Sequence, residues 1–423
     1  MRRLPVVFLV LVAAAVFAAG PPEVTTDEIV FGFGKGGPFP NEDQMPGWLD
    51  ELDAVVGCKV VQRPFEIKGG STETIRIALA GGETIHTFYG YGGRVPEFAN
   101  PKYAVPIPLS HSEKAQYLDG MLEQFQIDGK QYALPAWGWM ATMCANTDLI
   151  REAGAVLPAD DDLQRGWSRD QFLDMCEKVK LLDKYGTYLF AGSISGEYYM
   201  WGHFGAAGVN LYDKKGRIAV NNKAGIDTLQ FLVDIQDNGY CPMGVAGLSE
   251  KEGREGWMAG NIAARGGTEK YITIYPASGV ENGLIDEEFH AVAMGFPTPN
   301  GDPSPMVPGI DGAMVFKGYD EATTAAAIRA IKFVTGFERQ SFAVFQGKVT
   351  SLKGVEPNES FAWQCIQQMA IDHGVMNYGL THPLHSKVGE VWIAKLQGAF
   401  THEYTPAEAL DEFEQEATRI LAE

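Results

Sequence analysis

Aromatic side chains recur at or just after the ends of predicted strands, where they are placed to contact a small molecule. They are Tyr89 and Tyr91, then Trp137 and Trp139, and then Tyr198, Tyr199 and Trp201. Ligands of open α/β sheets bind at the carboxyl ends of the strands. A sugar presents apolar C–H faces and a rim of hydroxyl groups, so flat aromatic rings and a few planar polar groups bind it. The set predicts a sugar-type site, and ordinary core packing is the alternative for each ring.

Four polar side chains are candidates for hydrogen bonds to the hydroxyl groups of such a ligand. They are Arg94, Glu197, Arg265 and Asp311. A guanidinium can form paired hydrogen bonds with two adjacent oxygen atoms, which suits Arg94, and a surface ion pair is the alternative. Asp311 belongs to the run Pro308–Gly312, which predicts a glycine-rich turn. It is therefore either an acceptor for ligand hydroxyls or a turn-forming residue.

Catalytic and metal-binding patterns are poorly represented. The sequence contains neither a GxSxG nucleophile motif nor an HExxH zinc motif. Glu197 and Asp311 resemble the acid pair of a glycosidase only in residue type, since no spacing connects them. His382 and His385 have a metal-like spacing, but Pro383 disrupts a helix there, so solvated loop histidines are favoured. We expect no catalytic residue, no metal and no cofactor.

The run Gly32–Gly37 matches the GxGxxG pattern of dinucleotide-binding sites. In such sites a helix begins within the loop, so that its N-terminus faces the pyrophosphate. Pro38 and Pro40 occupy this place instead. We interpret the run as a flexible loop at the end of a strand.

Strand and helix patterns alternate along the first hundred residues, which predicts a mainly parallel α/β sheet. The predicted strands are Glu28–Phe33, Cys58–Phe65 and Ile85–Tyr89, and the predicted helices are Asp43–Val56 and Thr72–Ala80. Two later helix starts fit capping boxes, one at Ser168 with Gln171 and one at Thr405 with Glu408. At 423 residues, the chain is too long for one core and suits two lobes.

The segment Asp128–Gly154 joins extended and helical signals in one run. Gln131–Leu134 and Ala141–Ala145 are predicted as two extended runs, interrupted at Pro135. Asn146 is then predicted to cap a short helix.

The N-terminus has the three parts of a secretory signal. Arg2 and Arg3 form the charged part, Val6–Phe17 is the apolar stretch, and the cleavage site is predicted after Ala18. The stretch is short for a membrane span, so removal of residues 1–18 is expected, and retention as an anchor is the alternative. Since no cysteine directly follows, lipid attachment at a new N-terminal cysteine is not expected. The sequence predicts a secreted protein, either periplasmic or extracellular.

Charge and cysteine content limit the class of protein further. The net charge of -20 disfavours nucleic acid and anionic lipid as partners. The cysteines are Cys58, Cys144, Cys176, Cys241 and Cys365. Because they are widely spaced and form no CxxC motif, most are predicted to be buried thiols rather than parts of a disulfide framework.

Five regions of the sequence, taken in order, indicate a family. They are DGKQYALPAWGWMATMCANTDLIREAG from Asp128, GWSRDQFLDMCEKVK from Gly166, EGWMAGNIAARGG from Glu255, MGFPTPNGD from Met294 followed by VPGIDGAMVFKG from Val307, and YTPAEALDEFEQEATRIL from Tyr404. In number and order these regions resemble the extracellular solute-binding proteins of bacterial ABC importers. The resemblance is to the sugar-binding branch, which includes maltose-binding proteins.

This resemblance implies a two-lobed α/β fold, in which each lobe is a mixed, mainly parallel sheet flanked by helices and the ligand cleft lies between the lobes. It places the first lobe at residues 24–138 and 306–347, the second at 147–300 and 352–423, and hinge crossings near 139–146, 301–305 and 348–351. It implies that a monomer, which is not an enzyme, captures a carbohydrate and delivers it to the permease subunits of an ABC importer.

Two departures from the family pattern bear on the ligand. The aromatic residue that usually precedes the crossover asparagine is Ala145 here, and the family's Gly-Pro-Trp after residues 255–267 is absent. Arg265, Thr268 and Glu269 stand in that region, which implies a smaller or more polar ligand. Alternative solutes are a polyol phosphate, a polyamine or a ferric ion, and a secreted glycan-active enzyme is the remaining alternative.

Overall fold

A computed structural model describes residues 27–422, except for 35–36, 67–71, 91–94, 159–165, 194–195, 214–215, 346–347, 357–360 and 377–383. The predicted signal segment 1–18, the candidate site residues Tyr91 and Arg94, and His382 lie outside the described residues, as does part of the Gly32–Gly37 run.

Strands and helices alternate through the described chain. The strands are β1 Glu28–Phe33, β2 Lys59–Pro64, β3 Thr87–Gly90, β4 Gln126–Ile127, β5 Lys130–Gln131, β6 Leu134–Asn146, β7 Tyr185–Tyr188, β8 Ile262–Gly267, β9 Ala291–Met294, β10 Val307–Val315 and β11 Val349–Thr350. The helices are α1 Trp48–Val56, α2 Glu73–Ala80, α3 Val95–Phe98, α4 His111–Lys114, α5 Thr147–Glu152, α6 Arg169–Lys180, α7 Gly196–Ala206, α8 Lys223–Asp237, α9 Glu250–Met258, α10 Lys270–Thr273, α11 Tyr275–Glu281, α12 Glu321–Val334, α13 Phe337–Phe345, α14 Phe361–His373, α15 His385–Phe400 and α16 Pro406–Leu421.

The predicted alternation of strands and helices in the first hundred residues is confirmed, and so is the mixed α/β class. Strand β1 pairs in parallel with both β2 and β3. Helix α1 begins at Trp48 rather than at Asp43, because Gly47 adopts a φ of 75° and the residues before it form turns. Glycine accepts this left-handed conformation without steric cost.

One long strand joins the two halves of the sheet. The strand order is β2-β1-β3-β10-β6-β8-β7, and β11 and β9 also pair with β6. The first part of β6 pairs with β10 and β11, whereas Thr142–Asn146 pairs with β8 and β9. Among the described strands, the parallel pairs are β1 with β2, β1 with β3, and β7 with β8. The centre of the sheet is antiparallel because β6 and β10 run through it in opposite directions.

The predicted interruption at Pro135 is wrong, since β6 continues through it as one 13-residue strand. Across this interval the register with β10 shifts: Gly312 lies opposite Pro135, whereas Ile310 lies opposite Gly138. Strand β6 therefore has one more residue than β10 here. A bulge of this kind accommodates a proline, which cannot donate a ladder hydrogen bond.

The helix caps follow the sequence closely. Ser168 and Thr405 both form the predicted capping boxes, with Gln171 and Glu408 respectively. The side chain of Asn146 accepts a hydrogen bond from the Leu149 amide at the start of α5. Such caps satisfy backbone donors that the first helical turn leaves unpaired.

Apolar cores lie on both halves of the sheet. In the half around the end of β6, Trp201 stacks on Trp392 with ring centroids 4.5 Å apart, and the apolar stripe of α16 packs into the same cluster. The five cysteines are free, and Cys144, Cys176 and Cys241 are buried. Among the described helices, none has the length and apolar composition of a membrane span.

Candidate functional site

A cavity of about 350 Å³ opens beside the centre of the sheet, and we call it the aromatic cavity. Its described lining residues are Trp139, Tyr198, Tyr199, Glu250, Thr268, Glu269, Lys270, Tyr271, Tyr275 and Lys348. They come from β6, α7, the start of α9, the segment after β8 and the residue before β11. The volume falls within the usual range for a small-molecule site. Five aromatic rings, two carboxylates and two ammonium groups therefore surround one space.

Trp139 forms part of the cavity wall because of its neighbours on either side. Gly309 lies opposite it in the β6–β10 ladder, and the absence of a side chain there leaves room for the indole. On the other side, the indole meets Tyr198 edge to face, with ring centroids 5.0 Å apart at 78°. Two rings at right angles offer a ligand both a flat face and a polarised edge.

Replacing Gly309 with alanine should displace the Trp139 indole. A Cβ at position 309 would overlap the six-membered part of that ring. Overpacking of this kind costs roughly 1–3 kcal/mol, so we expect a loss of that order in the free energy of unfolding. Urea unfolding followed by tryptophan fluorescence measures both the stability and the environment of the ring. Gly247→Ala is the matched control, since the nearest atom to a Cβ there is 3.8 Å away. Wild-type stability and emission in Gly309→Ala would contradict this placement of the ring.

The segment after β8 forms the opposite wall of the cavity. Tyr271 and Tyr275 meet edge to face, with ring centroids 4.8 Å apart. The hydroxyl of Tyr271 donates to the carboxylate of Glu250, which also lies 3.5 Å from the guanidinium of Arg254. These contacts fix the orientation of the Tyr271 ring relative to α9.

Arg265 is fully buried behind this wall, and it is absent from the described lining of the cavity. Its guanidinium lies 4.0 Å from the centroid of the Tyr271 ring and 5.4 Å from that of Tyr188. Its Nε donates to the carbonyl of Gly266 at 3.0 Å. Cation–π contact with a desolvated guanidinium holds an aromatic ring in place. The structure therefore places Arg265 where it supports an aromatic side chain.

Glu269 is the most enclosed charged residue of the cavity, with 4% of its surface exposed. Burial raises the pKa of its carboxyl to about 7, although hydrogen bonds from its own backbone amide and from Thr268, and the charges of Lys348 and Lys270, act to lower it. Its Oε2 atom has no hydrogen-bond partner among the described residues. A buried acceptor without a donor is costly, which marks it as a group that a ligand could satisfy.

Asp311 lies within strand β10, so the prediction of a glycine-rich turn at this position is wrong. The local glycines allow close approach of neighbouring side chains rather than a turn, as Gly309 does for Trp139. The hydroxyl of Tyr89 donates to Oδ2 of Asp311 at 2.8 Å. Desolvation raises the pKa of Asp311 to about 7, opposed by the bond from Tyr89 and by Lys348. Lys348 therefore acts electrostatically on both Asp311 and Glu269.

Three further candidates lie in apolar or buried surroundings and are absent from the described lining of the cavity. Trp137 is 4% exposed, and the guanidinium of Arg339 lies 4.3 Å from its ring centroid. Trp201 is fully buried against Trp392, and Glu197 lies 3.1 Å from the imidazole of His385. Among the predicted aromatic residues that the structure describes, Trp139, Tyr198 and Tyr199 come together at the cavity.

Sequence reasoning missed most of the polar wall. Glu250, Lys270 and Lys348 line the cavity, as do the rings of Tyr271 and Tyr275, and none of them was predicted from the sequence. The usable signal was the position of Thr268–Tyr275 directly after the carboxyl end of β8, where ligands of α/β sheets bind. Tyr271 and Tyr275 supply rings in the region from which the family's Gly-Pro-Trp is missing.

Comparisons with known proteins agree with this architecture. Residues 57–365 match the family described as bacterial extracellular solute-binding protein. The cyclic α-maltosyl-1,6-maltose binding protein of Arthrobacter globiformis superposes with a TM-score of 0.73 at 19% identity, covering 93% of this chain and 98% of that chain. The sugar-binding protein MalE of Xanthomonas citri superposes with a TM-score of 0.73 at 13% identity, covering 93% of this chain and 97% of that chain. Maltose-bound MalE3 of T. maritima superposes with a TM-score of 0.68 at 16% identity, covering 93% of this chain and 99% of that chain.

No curated protein matches the chain at the level of sequence. The solved structures confirm the predicted two-lobed α/β fold. Because the sequence identities are 13–19%, this similarity shows the fold alone. The family match covers most of the chain and includes the aromatic cavity. The protein is therefore a member of the bacterial extracellular solute-binding protein family.

Proposed function

We propose that this protein captures a carbohydrate in the aromatic cavity and delivers it to an ABC-type importer. The observation that supports this most is the lining of the cavity, which includes five aromatic rings and four charged groups among the described residues. Aromatic faces pack against the apolar C–H faces of a sugar, while carboxylate and ammonium groups bond to its hydroxyl rim. Similar proteins bind maltose, maltotetraose or chitin oligosaccharides, which favours the same ligand class here.

The lobes are proposed to meet at this cavity and to close over the ligand. The proposed boundaries are 24–138 with 306–347 for the first lobe, and 147–300 with 352–423 for the second. The crossings near 139–146, 301–305 and 348–351 form the hinge, which is supported by the passage of β6 through both halves of the sheet. Closure requires that the ligand bind the closed form more tightly than the open form.

The remaining parts of the proposal follow from the family. Residues 1–18 direct secretion to the periplasm or the extracellular space, and the mature protein acts as a monomer. The permease subunits of the importer recognise its ligand-bound form. Binding without turnover is the proposed activity, so no residue is assigned a catalytic role.

A thermal-shift screen tests the ligand class directly. The panel contains malto-oligosaccharides, chitin oligosaccharides and monosaccharides beside glycerol phosphate, spermidine and ferric ion. A ligand at one hundred times its Kd adds about 2.7 kcal/mol to the free energy of unfolding, so a bound sugar should raise Tm clearly. A rise with glycerol phosphate, spermidine or iron and with no sugar would overturn the proposal. Release of products from a glycan would instead favour an enzyme.

A further inference from the structure

One oxygen atom of a carboxylate in the aromatic cavity is left without a donor among the described residues. Glu269 is 4% exposed, and its Oε2 atom lacks a hydrogen-bond partner among the described residues. The Glu269 carboxylate otherwise accepts from its own backbone amide and from the side chain of Thr268, and Glu250 accepts from the hydroxyl of Tyr271. Oε2 of Glu269 is therefore a vacant acceptor in the described wall. A buried polar atom in this state is usually satisfied by water or a ligand.

The surroundings of Glu269 contain charges of both signs. The titratable and charged side chains are Lys270 and Tyr271 on α10, Lys348 before β11, Tyr199 on α7, Arg265 on β8, Glu250 on α9 and Cys144 on β6. The hydrogen bonds from its own amide and from Thr268, together with Lys348 and Lys270, favour the ionised carboxylate, but burial outweighs them and raises the pKa. The free protein therefore keeps a large fraction of this carboxyl protonated at neutral pH.

We propose that Glu269 selects a neutral sugar as the ligand, an inference that rests on the proposed function. When two adjacent hydroxyl groups of the sugar donate to the oxygen atoms of Glu269, the carboxyl releases its proton to solvent. A protonated carboxyl offers one donor and reduced acceptor capacity, whereas the ionised form accepts at both oxygens. Hydrogen bonds to the ionised form stabilise it, so binding and proton release are linked. No covalent bond is made to the sugar, and the proton is the only species exchanged.

The charge of the ligand sets the sign of this exchange. A neutral sugar stabilises the carboxylate through its hydroxyl donors, which gives release of a proton. A sugar acid held by Lys270 and Lys348 would bring a second negative charge close to Glu269 and would cause uptake of a proton. A positively charged amino sugar would also cause release of a proton. It is distinguished from a neutral sugar by affinity, because the amino sugar would then bind more tightly than its N-acetylated form.

Calorimetry in phosphate and in Tris at pH 7 measures the number of protons exchanged. The full chain is titrated with maltotriose, N,N′-diacetylchitobiose, chitobiose and galacturonate. For a carboxyl half protonated at pH 7, a neutral sugar should release about half a proton and bind about tenfold more weakly at pH 6 than at pH 8. Glu269→Gln should show no release and nearly constant affinity across this range, whereas the exposed control Glu281→Gln should behave as the wild type.

Each outcome separates this inference from the function on which it rests. Sugar binding without proton release, or release that persists in Glu269→Gln, overturns the role of Glu269 and leaves carbohydrate binding intact. Release that is lost in Asp311→Asn but kept in Glu269→Gln assigns the proton to Asp311 and also overturns it. Binding of galacturonate alone with proton uptake overturns the choice of a neutral sugar. Absence of heat with every sugar overturns both proposals.

Discussion

Replacement of Trp139 by alanine should weaken ligand binding by about 1 kcal/mol or more, which corresponds to a loss of affinity of about fivefold or greater. The indole is only partly buried, lines the aromatic cavity and meets Tyr198 edge to face. Its removal takes away the flat face on which a sugar ring would stack. Isothermal titration with the sugar that gives the largest thermal shift measures the change.

The control lies two residues away on the same strand. Trp137 is buried beneath the guanidinium of Arg339 and beside Tyr89, whose ring centroid is 5.6 Å away. Trp137→Ala should lower the free energy of unfolding by about 3–5 kcal/mol, as core Trp-to-Ala changes do, while the folded fraction keeps its affinity. Equal losses of affinity in the two variants, or wild-type affinity in Trp139→Ala, would contradict the distinction between wall and core.

Local sequence patterns predict many of the strands, helices and helix caps of this fold. The strand and helix alternation at the start of the chain, and the caps at Ser168, Asn146 and Thr405, depend on hydrogen bonds between residues close in sequence. The predicted interruption at Pro135 is wrong because the strand accommodates this proline through a register shift with β10, and β10 is distant along the chain. Sequence spacing alone does not report such a partner.

The site was harder to predict than the fold for a similar reason. Trp137 and Trp139 are two residues apart on one strand, and spacing therefore assigns them to the same face. They differ because Gly309 lies opposite Trp139, whereas Trp137 lies opposite Thr350 in β11 and beneath Arg339. Residues such as Lys348 enter the cavity from a distant part of the chain, so only the assembled sheet brings them together with Glu269.

In the absence of ligand, the free energy of unfolding should depend on pH through Glu269. Burial raises the pKa of this carboxyl from its ordinary value of 4.5 to about 7, so the folded protein binds the proton more tightly than the unfolded chain does. The contribution to stability is therefore fully present below about pH 4.5 and is lost as pH rises through about 7. The shift corresponds to about 3 kcal/mol at most.

Glu269→Gln should remove the loss of stability between pH 5 and pH 8, because glutamine stays neutral at every pH in this range. We expect the variant to match the wild type near pH 5 and to exceed its free energy of unfolding by up to about 3 kcal/mol at pH 8. Urea unfolding of the ligand-free protein at both pH values measures the difference, with exposed Glu281→Gln as the control for removal of one negative charge. A stability difference of the same size at pH 5 and pH 8 would show that the folded carboxyl is already ionised. In that case, the vacant acceptor at Oε2 would have to be satisfied by a donor in the free protein, such as ordered water.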